Sequence, residues 1–269
     1  MSKTFLKIPS LIELYSRPYD ERMIEWRRLG AIDKAANIAA LVETCGDKAN
    51  VNSILEVGSG TGAVLDELSR RMPGKQFTGI EIGDTRSKAV TLPGGAQIHG
   101  YDGKTIPYPD RSFDLVYASH VLEHVTDERG FLYELRRVAR RAVYVEVPLE
   151  LHARTSWKAV QAGLDIGHIN AYTRESFVLK LATSGLAVAG VRVFSGGLPS
   201  LTFAKGGLKG RAIHALRSGM LAMNENLATR VFTYNAGALC VPAAKLDFED
   251  PAIPASQDAA RSQSQPVTS

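Results

Sequence analysis

The sequence predicts an α/β protein: a Rossmann-like, doubly wound sheet of seven strands, mostly parallel, with an antiparallel last strand. Three observations support this prediction. Short unbroken apolar runs alternate with helix-like segments from Asn50 to Pro148, which is typical of parallel strands covered on both faces. The glycine-rich stretch GSGTG follows the first run, at a position where doubly wound folds bind ligands. A chain of 269 residues is long enough to bury one such core.

Each element of the sheet is identified by its local pattern. Val, Ile and aromatic residues dominate the strand segments, and an apolar period near 3.6 identifies the helices. The predicted strands are residues 53–57, 77–80, 96–99, 113–118, 142–147, 187–194 and 236–241, and the clearest helices are 31–44, 63–71 and 174–184.

The chain divides into three regions by composition. Residues 1–50 are helical in character and are expected to form a lid. Residues 51–244 are expected to form the main domain, with a helical cap inserted at about 199–230. From about residue 245 to the end at 269, Pro, Ala, Ser, Gln and Asp dominate, which predicts a disordered tail.

The cap is predicted to contain one helix with an apolar stripe. Apolar residues are spaced three to four apart along it, at Ile213, Leu216, Met220, Met223 and Leu227. A cluster of basic residues lies around its start, and no acidic residue stands among them. This cluster is interpreted either as the solvated face of a core helix or as a cap that meets an anionic or lipid-like substrate. The basic residues are Lys205, Lys209, Arg211 and Arg217.

Bulk composition excludes several classes of protein. The net charge of +4 is modest and spread along the chain, without the basic stripe typical of nucleic-acid binding. Cys45 and Cys240 lie far apart, and no His or Cys spacing predicts a metal site. No apolar run reaches the ~18 residues that a membrane span needs. We therefore expect a cytoplasmic protein without nucleic-acid partner, metal or integral membrane span. The oligomeric state stays open.

The glycine-rich loop fits two cofactor patterns at once. Gly58, Gly60 and Ala63 give G-x-G-x-x-A, a dinucleotide pattern. Glu56, with glycines at 58, 60 and 62, gives E-x-G-x-G-x-G, a pattern of S-adenosylmethionine enzymes. Glycines at alternate positions let a ligand approach the backbone in either case, so the loop by itself does not choose between the two.

Two acidic residues at predicted strand ends bear on the choice of cofactor. Glu81 closes the second strand, where a carboxylate accepts both ribose hydroxyls of NAD or of S-adenosylmethionine. Asp102 follows the third strand, where an acid can accept from the adenine amine. An acid at this second position has no standard role in a dinucleotide fold and favours S-adenosylmethionine. Tyr101 could lie along the adenine ring or pack in the core.

The stretch IPYPDRSFDLVYASHVLEHV, from Ile106 to Val125, carries the most specific signal. With RRVARRAVYVEVP and GHINAYTRESFVLKLATSGLAV after it, the sequence resembles the class I S-adenosylmethionine-dependent methyltransferases, in the branch that includes the ubiquinone and menaquinone biosynthesis type. The resemblance covers about Asn50 to Val193, with four motifs in the expected order.

The resemblance implies S-adenosylmethionine as the cofactor, S-adenosylhomocysteine as its product, and a set of contacts. The loop glycines would line the methionine side, and the residues after the fourth strand would lie near the sulfonium. The cofactor-binding residues so implied are Glu56, Gly58, Ser59, Gly60, Gly62, Glu81, Ile82, Tyr101, Asp102, Gly103, Ser119 and His120.

Catalytic and acceptor residues are less sharply indicated. A base is needed only if the acceptor is protonated at the working pH. His120 follows the fourth strand and His168 follows the fifth, both at the edge where α/β folds bind ligands, so these two are the catalytic candidates. Glu146 ends the fifth strand, and Tyr19 and Trp26 belong to the predicted lid. Together with His168, these three are the candidate residues of the acceptor pocket.

The sequence therefore predicts a methyltransferase that acts on a small-molecule, lipid-like or glycan-precursor acceptor, with O-methylation favoured. Two alternatives remain at this point. An NAD-dependent oxidoreductase would use the same fold, although no Y-x-x-x-K hydride-transfer motif stands near the fifth strand. A non-catalytic module that binds S-adenosylmethionine is the other.

Overall fold

The computed structural model describes residues 6–9, 20–46, 50–82, 90–92 and 95–243. Seven of its strands coincide with the predicted apolar runs, extended by one to three residues at most ends, and the two-residue strand Val90–Thr91 was not predicted. The strands are β1 Ser53–Val57, β2 Gln76–Ile82, β3 Val90–Thr91, β4 Gln97–Tyr101, β5 Phe113–Ser119, β6 Ala139–Leu149, β7 Leu186–Phe194 and β8 Tyr234–Pro242.

The strands form one mixed sheet in the order β3-β4-β2-β1-β5-β6-β8-β7. The two-residue β3 is an antiparallel edge strand. The other seven strands, numbered among themselves, run 3-2-1-4-5-7-6, and β8 is antiparallel to both of its neighbours. The doubly wound sheet with an antiparallel last strand is thus confirmed. The carboxyl ends of β1, β2, β4, β5 and β6 meet at one edge, where ligands bind in such sheets.

Helices cover both faces of this sheet. The pair α1 and α2 packs on one face, and α3 and α5 pack on the other. The central strand β5 is buried along its whole length, because both of its faces are covered. The helices are α1 Glu21–Cys45, α2 Ala63–Arg71, α3 Glu128–Val138, α4 Trp157–Leu164, α5 Arg174–Ala182, α6 Leu198–Lys205, α7 Gly207–Met223 and α8 Glu225–Val231, and a 3₁₀ turn lies at Leu122–His124.

The helix α1 serves the core as well as the binding edge. Asp20 caps its start by accepting from the Met23 N–H at 2.7 Å. Ala35, Ile38 and Val42, in its second half, are buried against the sheet. Its second half is therefore a core helix, and a lid role for the N-terminal region stays a prediction. Tyr19 and the predicted tail at 245–269 lie outside the described residues.

The cap differs from the single helix expected. Three helices, α6, α7 and α8, connect β7 to β8. Gly206, with a φ of +88°, separates α6 from α7. Asn224 ends α7 and caps α8, because its side chain accepts from the Leu227 N–H at 2.9 Å. The predicted apolar stripe is also split, since Leu216 and Met223 are exposed. Within the unbroken helix α7, Ile213 and Met220 are partly buried, so only part of the predicted stripe faces the protein. None of the described helices is both long and apolar enough to cross a bilayer.

A buried carboxylate ties the amino ends of three strands together. Asp114, at the start of β5, accepts from the backbone N–H groups of Asn52 and Ser53 at 3.0 and 3.1 Å. Arg140 of β6 donates to its other oxygen at 2.6 Å. Burial raises the pKa of Asp114, but these donors outweigh it, so the net shift is downward. The charge therefore stabilises the register of β1, β5 and β6.

We expect Asp114→Asn to lower the free energy of unfolding at pH 7 by about 1–3 kcal/mol, because a buried ionic acceptor is lost. A group with a depressed pKa contributes stability above its unfolded value, and this contribution is lost as the pH falls through the folded value. The difference from the wild type should therefore shrink below about pH 4. Urea unfolding at several pH values measures this. Asp110→Asn, at an ion pair with a largely exposed carboxylate, is the control and should change stability by less than about 1 kcal/mol.

Candidate functional site

The loop between β1 and α2 combines a packing requirement with an open face. Gly62 has a φ of +78°, and a Cβ there would lie 2.7 Å from the Ile98 side chain. Gly60 also lies in the left-handed region, with a φ of +55°. A Cβ added there would lie 3.1 Å from Nη1 of Arg27 and 4.0 Å from Oε2 of Glu81. Glycine at 62 thus permits packing, whereas glycine at 60 opens the loop toward the binding edge.

The start of the loop is held by β2. The N–H groups of Gly58 and Ser59 both donate to the carbonyl of Ile80, at 2.8 and 3.1 Å. The Ser59 hydroxyl is buried and donates to the carbonyl of Glu56 at 3.3 Å. A Cβ on Gly58 would collide with Val121. The fold therefore uses the Ser59 side chain internally, and contacts of Gly58 and Ser59 with a cofactor stay a prediction.

Glu81 stands at the carboxyl end of β2, facing the glycine loop. Its carboxylate accepts from the N–H of Gly60 and, at 2.9 Å, from the N–H of Ile82. The sequence placed these three residues in one cofactor site, and the fold brings them into direct contact. A carboxylate here is positioned beside the loop where a ribose would present its hydroxyls.

Asp102 follows β4 on the neighbouring part of this edge. Its side chain is exposed and accepts from the backbone N–H groups of Lys104 and Thr105, at 2.8 and 2.9 Å. These bonds lower the pKa of Asp102, which keeps it ionised. Burial, followed by the charges of Glu81 and Asp102, raises the pKa of Tyr101, so this partly buried ring lies near both acids. Gly103 follows, where a Cβ would approach Ile82 at 2.9 Å.

Glu56 is an almost fully buried carboxylate at the end of β1. Its Oε2 atom has no hydrogen-bond partner among the described residues, and Tyr117, its register partner on β5, likewise has an unpartnered hydroxyl. Burial raises the pKa of Glu56 to about 8, even though the neighbouring Tyr117 hydroxyl and Lys34 act in the opposite direction. Burial therefore favours the neutral form of this carboxyl, and a neighbouring cation would favour the ionised form.

Glu146 is the most constrained group of the site. It is fully buried at the end of β6. It accepts from the Ser119 hydroxyl at 3.0 Å and from the Tyr144 hydroxyl at 2.7 Å, and Nε2 of His120 lies 3.2 Å away. Burial alone raises the pKa of Glu146, but His120 and Lys34 outweigh it and lower the net value. Glu146 is therefore a buried anion that orients the residues after β5.

His120 is held in an unusual backbone conformation. Its φ is +57°, which is uncommon for a non-glycine residue. The N–H of His120 donates to the carbonyl of Glu146 at 2.9 Å, and its Nδ1 lies 3.2 Å from Oε1 of Glu123. Burial and Lys34 lower the pKa of His120, but the two carboxylates raise it more, so the net shift is upward. Strained backbone of this kind is concentrated at functional sites.

Lys34 and Glu123 belong to the same buried group, although sequence reasoning assigned them no role. Burial lowers the pKa of Lys34 on α1, while Glu146, Glu123 and Glu56 act against that shift. Glu123 is fully buried, and its carboxylate oxygens make no hydrogen bond within the described residues. Nothing in the sequence around Lys34 distinguishes it from a lysine on a solvated helix face. Glu123, in contrast, belongs to the L-E-H triplet, which could have pointed to it.

His168 lies near the carboxylate of Glu123. Its Nδ1 lies 2.9 Å from Glu150, and His124 places its Nδ1 2.9 Å from the carbonyl of Gly167. Ligand-capable atoms of Glu123, His124 and His168 all lie within 4.8 Å of one another. The two histidines predicted as catalytic therefore flank one buried glutamate. The cluster also has metal-capable chemistry that no spacing in the sequence revealed.

A cavity of about 410 Å³ adjoins this group between α1, the end of β7 and α7. Asp33 on its wall accepts from the Gly197 N–H at 2.8 Å, and burial raises the Asp33 pKa. The Ser195 hydroxyl is buried without a hydrogen-bond partner among the described residues. Trp26 is 46% exposed and does not line this cavity. The lining residues are Asp33, Ala36, Asn37, Arg192, Val193, Phe194, Ser195, Gly197, His214, Ser218, Leu221 and Ala222.

Comparison with known proteins identifies the same central region. Residues 55–145 match the family model described as "Methyltransferase domain". This segment runs from β1 into β6 and contains the glycine loop, Glu56, Glu81, Asp102 and His120.

Two relatives match over segments of similar length. A demethylmenaquinone methyltransferase of Thermotoga maritima is 34% identical over 97 residues, which cover 34% of this chain and 41% of that protein. An ajmaline N-methyltransferase of Rauvolfia serpentina is 29% identical over 109 residues, covering 37% of this chain and 36% of that protein. The matches thus span less than half the length of either relative.

The fold extends further than the sequence match. A geranyl diphosphate methyltransferase, solved in complex with S-adenosylmethionine, superposes with a TM-score of 0.57. The alignment covers 88% of this chain and 97% of that chain at 13% identity. The likeness at this identity concerns the fold alone.

We expect Glu56→Gln to change the pH dependence of stability. A group whose pKa is raised on folding contributes stability below its unfolded value, near 4.5, and loses it as the pH rises through about 8. The wild type should therefore lose stability relative to Glu56→Gln across this window, by up to about 1.4 kcal/mol for each pH unit. Urea unfolding between pH 5 and 9 measures the difference.

Glu25→Gln is the matched control. Arg28 holds the pKa of this exposed carboxylate below its usual value, so its difference from the wild type should stay constant above pH 5. A constant difference for Glu56→Gln as well would show that the Glu56 carboxyl is ionised at neutral pH.

Proposed function

We propose that this chain, which carries a class I S-adenosylmethionine-dependent methyltransferase domain, transfers the methyl group of that cofactor to a small-molecule acceptor. The acceptor is lipid-like or a glycan precursor, and its acceptor atom is oxygen. The observation that carries the proposal is Glu56, a buried carboxyl at the glycine loop with an unpartnered oxygen.

The charge of the site favours a cationic cofactor over a dinucleotide. Glu56, Glu81 and Asp102 all stand at the ends of strands around the loop. A pyrophosphate at this loop would oppose ionisation of Glu56 and would be repelled by Asp102, whereas an ammonium or sulfonium would favour ionisation of Glu56 and would be attracted by Asp102. A bound cation would also lower the pKa of Glu56 and supply its missing partner. The donor set therefore fits S-adenosylmethionine and disfavours NAD.

The reaction needs alignment and, for a hydroxyl acceptor, removal of one proton. When bound, S-adenosylmethionine supplies an electrophilic methyl group on a sulfonium, which is a good leaving group. The proton of a hydroxyl acceptor would pass into the cluster of His120, Glu123 and Glu146, with His120 as the candidate base. Both ring nitrogens of His120 already face a carboxylate, so one of these contacts must open before the ring takes the proton. Glu146 and Glu123 hold its ring at 3.2 Å on each side and stabilise the imidazolium that forms. Their burial and fixed geometry keep the base oriented.

The cavity beside α7 is the proposed acceptor pocket. It is lined partly by apolar side chains and partly by Asp33, Asn37, Arg192 and His214. Asp33 is adjacent on α1 to Lys34, whose charge interacts with Glu146, so the cavity and the buried group share a wall. A mixed lining of this kind suits an acceptor with an apolar body and a few polar groups.

Calorimetric titration with S-adenosylmethionine, S-adenosylhomocysteine and NAD tests the cofactor. Binding of NAD without S-adenosylhomocysteine would replace this proposal by the oxidoreductase. Incubation with labelled S-adenosylmethionine and a metabolite extract, followed by mass spectrometry, tests the reaction. Tight S-adenosylhomocysteine binding without any labelled product would favour the non-catalytic module.

We expect Gly60→Val to abolish S-adenosylhomocysteine binding while the fold is kept, because the added side chain projects into the open face of the loop. Gly74→Val is the matched control: its φ of +78° brings similar backbone strain, but no atom lies within 4 Å of its Cβ. Calorimetry should find cofactor binding retained in the control. Unchanged affinity in Gly60→Val would mean that the loop does not bind the cofactor.

We expect His120→Gln to lower the rate of methyl transfer by a factor of about 10²–10⁴, the usual contribution of a positioned base. Because the carboxylates raise the pKa of His120, wild-type activity should rise with pH above the ordinary histidine range near 6.5, and the variant should lose this rise. The measurement is labelled-product formation against pH. His152→Gln, at a histidine bonded to Thr233, is the control. An unchanged pH profile in His120→Gln would exclude His120 as the base.

A further inference from the structure

The outer face of α7 is apolar although it faces solvent. Leu208 is 86% exposed, Leu216 55% and Met223 87%. With 100° between successive residues of an α-helix, the apolar exposed residues of α7 fall within an arc of roughly 100°. The residues of this stripe are Leu208, Ala212, Ala215, Leu216, Gly219 and Met223. A solvent-facing stripe normally carries polar residues, so this pattern is inverted.

Cations flank the stripe and no anion accompanies it. Lys209 and Arg211 are exposed on its two sides, and Lys205 is exposed at the end of α6. The sequence contains no Asp or Glu between Glu175 and Glu225, an interval with six Lys or Arg residues. Arg217 is turned inward, over the ring of Tyr234 at 5.1 Å, and does not belong to this surface.

We propose that the outer face of α7 docks on the surface of an anionic lipid bilayer. An apolar helix face flanked by Lys and Arg is the pattern of helices that lie in the plane of the membrane interface. The long side chains of Leu208 and Met223 would enter the acyl boundary, while Lys209 and Arg211 meet the anionic headgroups. The small Ala and Gly residues between them let the helix lie flat on the membrane surface.

The charge of the face argues against a second copy of the chain as the partner. A symmetric contact would place the same patch on both sides, so the cations would meet cations without an acidic residue to pair with. The stripe also lacks the aromatic residues that anchor most protein interfaces. An anionic surface complements the patch, and a copy of itself does not.

The inner face of the same helix borders the proposed acceptor cavity. His214, Ser218 and Leu221 of α7 line the proposed acceptor cavity. A lipid-like acceptor would therefore reach the cavity beneath the helix that rests on the bilayer; this consequence rests on the proposed function. The docking itself depends only on the outer face of α7.

Vesicle co-sedimentation of the full chain tests the docking. We expect at least tenfold stronger binding to phosphatidylcholine vesicles containing 30% phosphatidylglycerol than to pure phosphatidylcholine, and a loss of binding at high salt. The double variants Leu208→Ser/Met223→Ser and Lys209→Glu/Arg211→Glu should each bind the anionic vesicles at least tenfold more weakly. All these positions are exposed, so the fold is expected to persist and is checked by circular dichroism.

Two controls separate the surface from general charge and hydrophobicity. Leu179→Ser removes a leucine that is 64% exposed on α5, and Lys75→Glu/Lys158→Glu reproduces the charge change away from α7. Both should bind the vesicles within twofold of the wild type. S-adenosylhomocysteine affinity should be equal in all variants, which keeps this test independent of the proposed function.

Three outcomes would overturn the docking proposal. They are absence of binding to anionic vesicles, equal loss in the control variants, and self-association in light scattering that Leu208→Ser/Met223→Ser removes. The last outcome would make the stripe a protein interface.

Discussion

The buried carboxylate of Glu146 is the interaction on which the site depends. An ionised side chain without exposure to water is tolerated only when donors surround it. Ser119 and Tyr144 donate to Glu146, and His120 lies against it. These contacts join the ends of β5 and β6 and hold His120 in its left-handed conformation. The need to surround the buried charge of Glu146 with donors thereby fixes the side chains at the part of the sheet edge where we propose that methyl transfer takes place.

The helix α1 connects the core to this site. Its second half buries Ile38 and Val42 against the sheet, which fixes the helix relative to the strands. Positions on the same helix then present Lys34 to the buried carboxylates and Asp33 to the cavity. A rigid element that carries both core and site residues positions them more accurately than a loop would. Helix α1 is therefore part of the site's architecture.

Sequence reasoning succeeded where the local pattern and the fold agree. The apolar runs located the strands, and the helix at Ala63–Arg71 was predicted with its observed bounds, because strand and helix periods are local properties. Glu81 was predicted beside the glycine loop, and the fold brings its carboxylate to the Gly60 N–H. The prediction failed in the cap, where Gly206 and Asn224 break one expected helix into three. Their effect depends on packing partners that a single sequence does not reveal.

By itself, the sequence determined the α/β class, the positions of seven strands, and the glycine loop with its two strand-end acids. These features follow from residue type and spacing along the chain. Only the tertiary structure decided that Lys34, Glu123, Glu146, His120 and His168 form one buried group. It likewise decided that α7 presents an apolar face to solvent. Residues distant in sequence become neighbours only when the sheet closes, and their charges and pKa values depend on that proximity and on the loss of water around them.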